Sequence, residues 1–527
     1  MTALPATQLL SSAPARTRAT PWVIPTLIVV ALLPRVGFLA RPWESDAGLY
    51  AYMGKVVAEP AKFGQLYRDF YETKPPGVAL LTAGLHRAFG THWPTWVALQ
   101  AVLALAAAAA LAQAARHTWG RPPGVATFAF AAVFLNFGPA AYRGFQLETL
   151  VAAFAAFAGC VAMRLLSAPG QSARALPESP PRIRSSPDVA VRALTSFALG
   201  VSAALAANLK PTGGAVLGAF AIACLLRRQF APVAFATLGF LIPTAAVAAW
   251  TWHAGLIPEM PALWREISLY GSGTPVLPAD LLLKAFTLAG LCGLTFYGAR
   301  RIARPRASHN TPAPRDRTMT FLLTWLVLEL LGVYLQKRMY SYHFLPLAPP
   351  LALLFGKLFA TAREIRPLGL AAALAPALGL SLAWSAGDFK TLLTGPRTLP
   401  ESDYLRAHAR PTDRIVGDGI ERLLMETNLR CGSRYAHLFY LANHDAAPAA
   451  FGDRFLSDLT TNKPEWAIFP TNWRERRERS VRDLPLYAER PARAAAYLAV
   501  TAHIQSHVET HYAPVTQIGP NTIWRRN

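Results

Sequence analysis

Acidic side chains are scarce in this chain. It has 30 Asp and Glu in 527 residues against 52 Lys and Arg, and all charged residues together make up 16%. An ordinary soluble protein carries about 25%. A soluble chain of this length would divide into about three domains with charged surfaces, and there is too little charge to cover them. The same shortage comes with 53% hydrophobic residues, which excludes a disordered chain. Cysteine is nearly absent. Cys160, Cys224 and Cys292 fall in apolar runs, where Cys behaves as a small hydrophobe, and Cys431 stands alone near the C-terminus, so no disulfide is expected. Also missing are a Walker A motif, a GxGxxG turn, a metal-ligand cluster in the tail, and internal repeats.

What the chain has instead is a succession of apolar runs of bilayer-spanning length. They lie at 22–40, 95–114, 122–138, 144–166, 192–208, 212–226, 231–252, 279–299, 319–335, 343–359 and 367–386. The first is too long for a cleaved signal peptide, and Arg41-Pro42-Trp43 follows it in place of small residues. The expected fold class is an all-α polytopic membrane domain of about eleven transmembrane helices with a small C-terminal α/β domain outside the membrane. Residues 1–21 form a cytoplasmic tail in this reading, 22–386 the membrane domain with a long first outer loop at 41–94, and 387–527 the extracytoplasmic domain. A helix near 401–409, strands at Arg414–Gly417 and Trp466–Phe469, and a final hairpin around Gly519-Pro520-Asn521 are expected in the tail. The Pro-, Ser- and Arg-rich stretch 167–191 reads as a linker.

The net charge of +22 admits a nucleic-acid partner only if the basic residues form one solvent-facing patch. They do not. With the N-terminus inside, the inner segments carry twenty Lys and Arg, from Arg16 to Arg366, and four acids, so +16 of the +22 lies there. That is the bias that orients a membrane protein, with positive loops on the cytoplasmic side. The partner it implies is the membrane, with no nucleic acid, and a bacterial plasma (inner) membrane is the expected compartment.

Against that bias, a few polar groups gather on outer corners. The first outer loop opens Trp43-Glu44-Ser45-Asp46-Ala47-Gly48-Leu49-Tyr50. Two carboxylates at the mouth of a span are costly unless solvated or used, and an ionised Asp can accept or orient a hydroxyl proton. The plainer alternative is a solvated loop with a helix cap at Ser45 or Asp46. Further on, Tyr71-Glu72-Thr73-Lys74-Pro75-Pro76-Gly77 fixes Lys74 in a rigid turn before a short amphipathic helix at 77–89. A fixed ammonium at that level suits a lipid phosphate; a snorkelling lysine is the alternative. Three other corners carry Tyr142-Arg143 with Gln146 and Glu148, Lys210-Pro211, and Lys337-Arg338 with Tyr340, Tyr342 and His343. Cations converging on one face at one depth point to an anionic headgroup. Lys284 and Glu329, at matching depths in two spans, are expected to pair structurally, and Gly214 and Gly218 to form a packing face.

These residues in this order resemble a membrane glycosyltransferase of the GT-C fold, in the group of the protein O-mannosyltransferases and the lipid A aminoarabinose transferase (family 39-like). The resemblance covers roughly 22–360 and includes Arg35, Glu44/Asp46 with Tyr50, Lys74-Pro75-Pro76-Gly77, Glu148, Lys210-Pro211 and Arg338-x-Tyr340-x-Tyr342-His343. It implies a polyprenyl-phosphate sugar donor, a glycan, lipid or protein acceptor, and an inverting displacement on the outer face. Asp46 is the implied catalytic carboxylate, with Glu44 as its rival because Glu44-Ser-Asp46 replaces the adjacent Asp-Glu pair of the group. Lys74, Lys210, Arg338, Tyr342 and His343 are the donor-phosphate residues, and Tyr50, Glu72, Arg143 and Glu148 further site candidates. No cofactor and no resident metal is assigned, with a divalent cation left open. Two rival functions stand beside it, a transporter or flippase and a non-catalytic polysaccharide-assembly protein. The first lacks the matched broken helices of two repeated halves, and both loop motifs speak against the second.

Overall fold

The computed structural model describes residues 22–39, 43–141, 144–167, 186–270, 289–300, 317–336, 340–362, 365–394, 398–438, 447–483 and 491–527. From α1 (Val23–Leu39) the chain passes through α2 (Ser45–Ala58) and α3 (Pro76–Phe89) into a helical bundle. Among the described residues, six helices are long and apolar enough to cross a membrane. They are Trp93–Trp119, α4 (Leu147–Ser167), α5 (Ser186–Leu209), α6 (Phe230–His253), α7 (Arg317–Gln336) and α8 (Pro367–Thr394). Shorter apolar helices at Pro25–Leu39, Arg121–Leu135 and Pro211–Leu225 accompany them. The chain is a polytopic integral membrane protein.

Helix α4 is the centre of the bundle. Its apolar stretch is 72% buried, against 11% in α6, which faces outward. The sequence accounts for this, because α4 is rich in Ala, the best helix former and the one that lets neighbours come closest. A close crossing lies elsewhere, between α5 and α6. A Cβ on Gly200 would overlap the Ala236 carbonyl, and one on Gly239 the Phe197 carbonyl. The expected face at Gly214 and Gly218 is looser, with Gly218 set against Leu328.

Two expected elements differ from the sequence reading. The run 343–359 is not one helix. Ser341–Leu347 forms a 3-10 turn and Ala348–Lys357 a separate short helix. Pro346, Pro349 and Pro350 withhold the amides that an uninterrupted α-helix would use. At the other end, α8 continues through 386 to Thr394, so the tail leaves the bundle on a continuous helix. Of the run at 279–299 only the part from 289 is described. Lys284 lies outside the described residues, and Glu329 is buried and accepts a hydrogen bond from Trp325 Nε1 at 3.0 Å. Residues 168–185 of the linker lie outside the described residues too.

The tail forms the expected helix, Pro400–His408, and a five-stranded sheet. Strand β1 (Arg414–Gly417) pairs in parallel with β2 (Arg430–Cys431) and with β3 (Trp466–Pro470). The hairpin β4 (Tyr512–Ile518) and β5 (Asn521–Arg526) then adds antiparallel to β3. Its two-residue turn, Gly519-Pro520, uses the positive φ of +55° at Gly519.

The tail does not stand apart. One continuous core joins Tyr52, Phe63 and Phe70 of the first loop to Leu424, Ile415 and Trp466 of the tail. Tyr52 sits at the seam, its hydroxyl donating to the Leu429 carbonyl (3.3 Å) and accepting from the Cys431 amide (2.9 Å). Lys55 Nζ donates to Asn428 Oδ1 at 3.0 Å, and the Tyr71 amide donates to the Arg434 carbonyl at 2.7 Å. The first loop and the tail therefore lie on one side of the bundle, and α2 is clamped between α3 and the tail helix α9 (Glu421–Thr427).

Candidate active site

Helix α2 begins at Ser45 with Glu44 in the capping position, and Glu44 makes no side-chain cap bond. Asp46 is thus not a cap. It stands in the first turn of α2, half-buried, and burial pushes its carboxyl up to about 6. Lys74 works against that rise, while Glu148, Glu72 and Glu44 add to it. One Asp thus lies within electrostatic reach of four groups drawn from three parts of the sequence. The crossing of α2 over α3 depends on Gly54, where a Cβ would lie 2.6 Å from the Thr82 carbonyl carbon.

Lys74 is held by its turn. Its carbonyl accepts a hydrogen bond of 2.6 Å from the buried Tyr67 hydroxyl, and Pro75 and Pro76 fix the chain as it enters α3. The ammonium lies 3.8 Å from Glu72 Oε1 and 5.7 Å from the centre of the Tyr50 ring. Burial holds the Tyr50 hydroxyl well above its ordinary range, and Asp46 adds to the effect. Gly77 then sets the depth of the whole turn, because a Cβ there would overlap the Asn208 carbonyl at the end of α5. That contact brings Lys74 within electrostatic reach of Lys210, which follows α5. Gly77→Ala is expected to push the turn away from α5 and reduce any activity of this site at least about tenfold. An overlap with backbone has no rotamer to relieve it, and small displacements of a site are costly. Unchanged activity of Gly77→Ala in the assay described below would contradict this.

On the bundle side, Lys210 Nζ pairs with Glu148 Oε1 at 2.6 Å, and His343 Nε2 lies 4.0 Å from the same oxygen. The 3-10 turn that carries His343 also stacks Tyr340 on Tyr342, with Tyr342 edge-on to His343 at 4.7 Å. The structure therefore brings Glu44, Asp46, Tyr50, Glu72, Lys74, Glu148, Lys210, Tyr342 and His343 to one region. Arg143 and Arg338 lie outside the described residues. Among the described residues no group of three His, Cys, Asp or Glu is placed to hold a metal ion.

Beneath this region runs a support that the sequence reading named only as one part of the resemblance. Arg35 is 2% exposed. Its guanidinium donates to Asn136 Oδ1 (3.2 Å), Gln100 Oε1 (2.7 Å), the Leu135 carbonyl (3.3 Å) and the Gly144 carbonyl. Gln100 Oε1 also accepts from the Gln146 amide at 3.1 Å, so Arg35 holds the corner that delivers Glu148. Arg35→Met would leave those buried acceptors without their donor. The expected loss is on the order of 3 kcal/mol, read as a lower thermal midpoint of the purified protein in detergent.

The tail contributes groups that sequence reasoning passed over. Glu421 lies within electrostatic reach of Asp46 and Glu72, and His437 within reach of Glu72 and Lys74. Burial shifts the His437 imidazole down. Nothing in the local sequence marks either residue, since each reaches the site only because the sheet is folded against α2. Two cavities flank the region. One, of about 430 Å³, is apolar and lined by Phe134, Phe137, Leu291, Tyr340, Phe344 and Trp384 among others. It shares the Tyr340–Leu347 segment with the polar site. The other is polar and lies toward the tail.

No family model and no curated protein matches the sequence. Solved structures do match the fold. ArnT from Cupriavidus metallidurans bound to undecaprenyl phosphate is 14% identical, with a TM-score of 0.56 over 96% of this chain and 98% of that one. Its apo form gives 13% identity and 0.57 over the same shares. The Archaeoglobus fulgidus oligosaccharyltransferase tethered with an acceptor peptide is 12% identical, with a TM-score of 0.51 over 96% of this chain and 74% of that one. The fold is of the GT-C type, and at these identities the likeness is one of fold.

Proposed function

We propose that this GT-C-fold chain transfers a sugar from a polyprenyl-phosphate donor to an acceptor hydroxyl in a single inverting displacement. The observation that carries the reading is a juxtaposition. An Asp with a raised pKa stands within reach of the fixed cation Lys74, which is in turn within reach of Lys210, and the site adjoins an apolar cavity through the Tyr340–Leu347 segment. A lipid phosphate needs these parts together: cations for its head and an apolar channel for its tail. ArnT was solved with undecaprenyl phosphate, a ligand of this chemical kind.

In this reading Asp46 accepts the proton of the acceptor hydroxyl as its oxygen attacks the anomeric carbon. The bond from that carbon to the phosphate oxygen breaks, and polyprenyl phosphate leaves. Lys74 and Lys210 stabilise the charge that grows on the leaving phosphate, and fixed charges in a water-poor site do this without reorganisation. Glu148, with His343 beside it, holds Lys210 in place, and Tyr342 walls the donor side. Arg338 is assigned to the same phosphate from its sequence position, and Arg143 to the rim of the site. Glu44 faces the tail-side cavity, which supports the reading of Asp46 as the primary carboxylate. Residues 22–386 form the transferase domain with its catalytic loop at 41–94, and 387–527 complete the site from outside. The site faces the extracytoplasmic side of a bacterial inner membrane, with the N-terminus in the cytoplasm.

The test is incubation of the purified full-length protein with a panel of labelled undecaprenyl-phosphate hexoses and pentoses. The readout is release of undecaprenyl phosphate and the anomeric configuration of the product. Turnover of at least one donor with inversion is expected. Failure of every donor, or retention of configuration, would overturn the proposal.

A further inference from the structure

The polar cavity between the first loop and the tail has a volume of about 320 Å³, within the range of small-molecule sites. Trp43 and Glu44 form one wall, and Glu401, Asp418, Glu421 and Asn521 line the other. Its chemistry is the reverse of the donor side. Where Lys74 and Lys210 meet the proposed phosphate, this cavity presents four carboxyl groups, and the guanidinium in its lining, Arg422, is held by Glu426 at 2.5 Å. Asn521 is fixed against Glu401 Oε1 at 2.8 Å, and Asp418 Oδ1 accepts the Leu438 amide at 2.9 Å.

Glu421 is the telling residue. Its side chain is 2% exposed and lines the cavity, and its ion-pair contact, His437 Nε2, lies at 3.8 Å, beyond hydrogen-bond reach. A buried carboxyl with bonding capacity left over and an open space before it is a group that awaits a ligand. Burial lifts it to about 8, with Asp418, Asp46 and Glu72 pushing the same way and its own backbone amide opposing. At neutral pH it is therefore protonated and can donate, while Glu44, Glu401 and Asp418 accept. One donor and three acceptors around a small space suit the hydroxyls of a sugar.

We propose that this cavity seats the acceptor, and that the acceptor is a carbohydrate hydroxyll-bearing ring, neutral or amine-bearing, with no phosphate or carboxylate at the bound end. Hydroxyl and ammonium groups gain bonds from the carboxylates, whereas a phosphate would meet Glu44, Glu401 and Asp418, and the guanidinium in the lining, Arg422, is already engaged by Glu426. The inference rests on the transferase reading for its location, since Glu44 stands two residues before Asp46 and the bound hydroxyl has to reach the donor there.

The test has two arms, so that the two readings fail separately. Binding is measured on the full-length protein in detergent without any donor, by saturation-transfer NMR with methyl glucoside, glucosamine and glucose 6-phosphate. Methyl glucoside and glucosamine are expected to bind, and glucose 6-phosphate at least about tenfold more weakly. The double variant Asp418→Asn, Glu421→Gln keeps side-chain shape and the acceptor of the Leu438 bond. It is expected to weaken methyl glucoside about tenfold and to narrow the gap to glucose 6-phosphate. The second arm adds the same compounds to the donor assay, where the neutral and amino sugars are expected to be the better acceptors. Equal or tighter use of glucose 6-phosphate in either arm, no binding of any neutral sugar, or a double variant that shifts nothing would overturn the inference. Selective binding without turnover of any undecaprenyl-phosphate sugar would support the carbohydrate site and remove the transferase reading alone.

Discussion

Asp46→Asn is expected to lower transfer by about 10²–10⁴-fold, the range over which a positioned general base contributes. Asn keeps the shape and the polarity of the side chain, so the fold of α2 and its packing against α9 are not disturbed. What it removes is the ability to take a proton. The loss should appear in kcat more than in the donor KM, because the carboxylate acts on the hydroxyl as it attacks and not on the phosphate. The pH profile gives an independent reading of the same residue. Burial holds Asp46 at about 6, and only the ionised form can accept a proton. Transfer should therefore fall as pH drops below about 6 and level off above it. A rate that stays flat from pH 5 to pH 8 would remove Asp46 from the chemistry.

Lys74→Ala is expected to cost about 10²–10³-fold in kcat, the usual loss when one fixed donor to a developing anion is removed. Two features make Lys74 the most sensitive of the cations. Its backbone is pinned by Tyr67 and the two prolines, and its ammonium shares the space of Asp46 and Tyr50. The variant Lys74→Met separates charge from packing, since it keeps the apolar stem. It should also move the acid limb of the pH profile upward, because Lys74 is the group that holds the Asp46 carboxyl down against burial. Removing that cation favours the protonated acid, so more alkaline conditions are needed to ionise it. A limb that stays in place, or moves to lower pH, would show that Lys74 and Asp46 do not share a site.

Much of this site was legible from residue order. Lys74-Pro75-Pro76-Gly77 was readable as a rigid turn presenting an ammonium, because proline and glycine act on the backbone wherever they occur. Glu148 was readable as a charge just inside a span, and it proves to be buried and paired with Lys210. The pairing itself was not readable. Sixty-two positions separate the two residues, and only the packing of α4 against the end of α5 makes them neighbours. Arg35 showed a similar limit. Its charge was visible, but not that Gln100, Asn136 and the Gly144 corner would all turn toward it.

The tail marks the boundary most clearly. Its helix and strands were readable from alternation and turn residues, whereas its place against α2 was not. Tyr52, Lys55 and Tyr71 look like ordinary loop residues, yet each bonds to a residue more than 350 positions away. The reach of Glu421 toward Asp46, and of His437 toward Glu72 and Lys74, follows from that seam alone.

The sequence by itself determined that this is a membrane protein, that its first outer loop carries fixed charges of both signs, and that its tail is a small α/β unit. Those properties come from composition, periodicity and local backbone chemistry, which act over a few residues at a time. Tertiary structure alone decided which charges meet, and that the space around Asp46 has a cationic side and an acidic side. Coulomb and hydrogen-bond interactions depend on distance through space, and burial depends on what packs on top. Neither distance nor burial is a property of position along the chain.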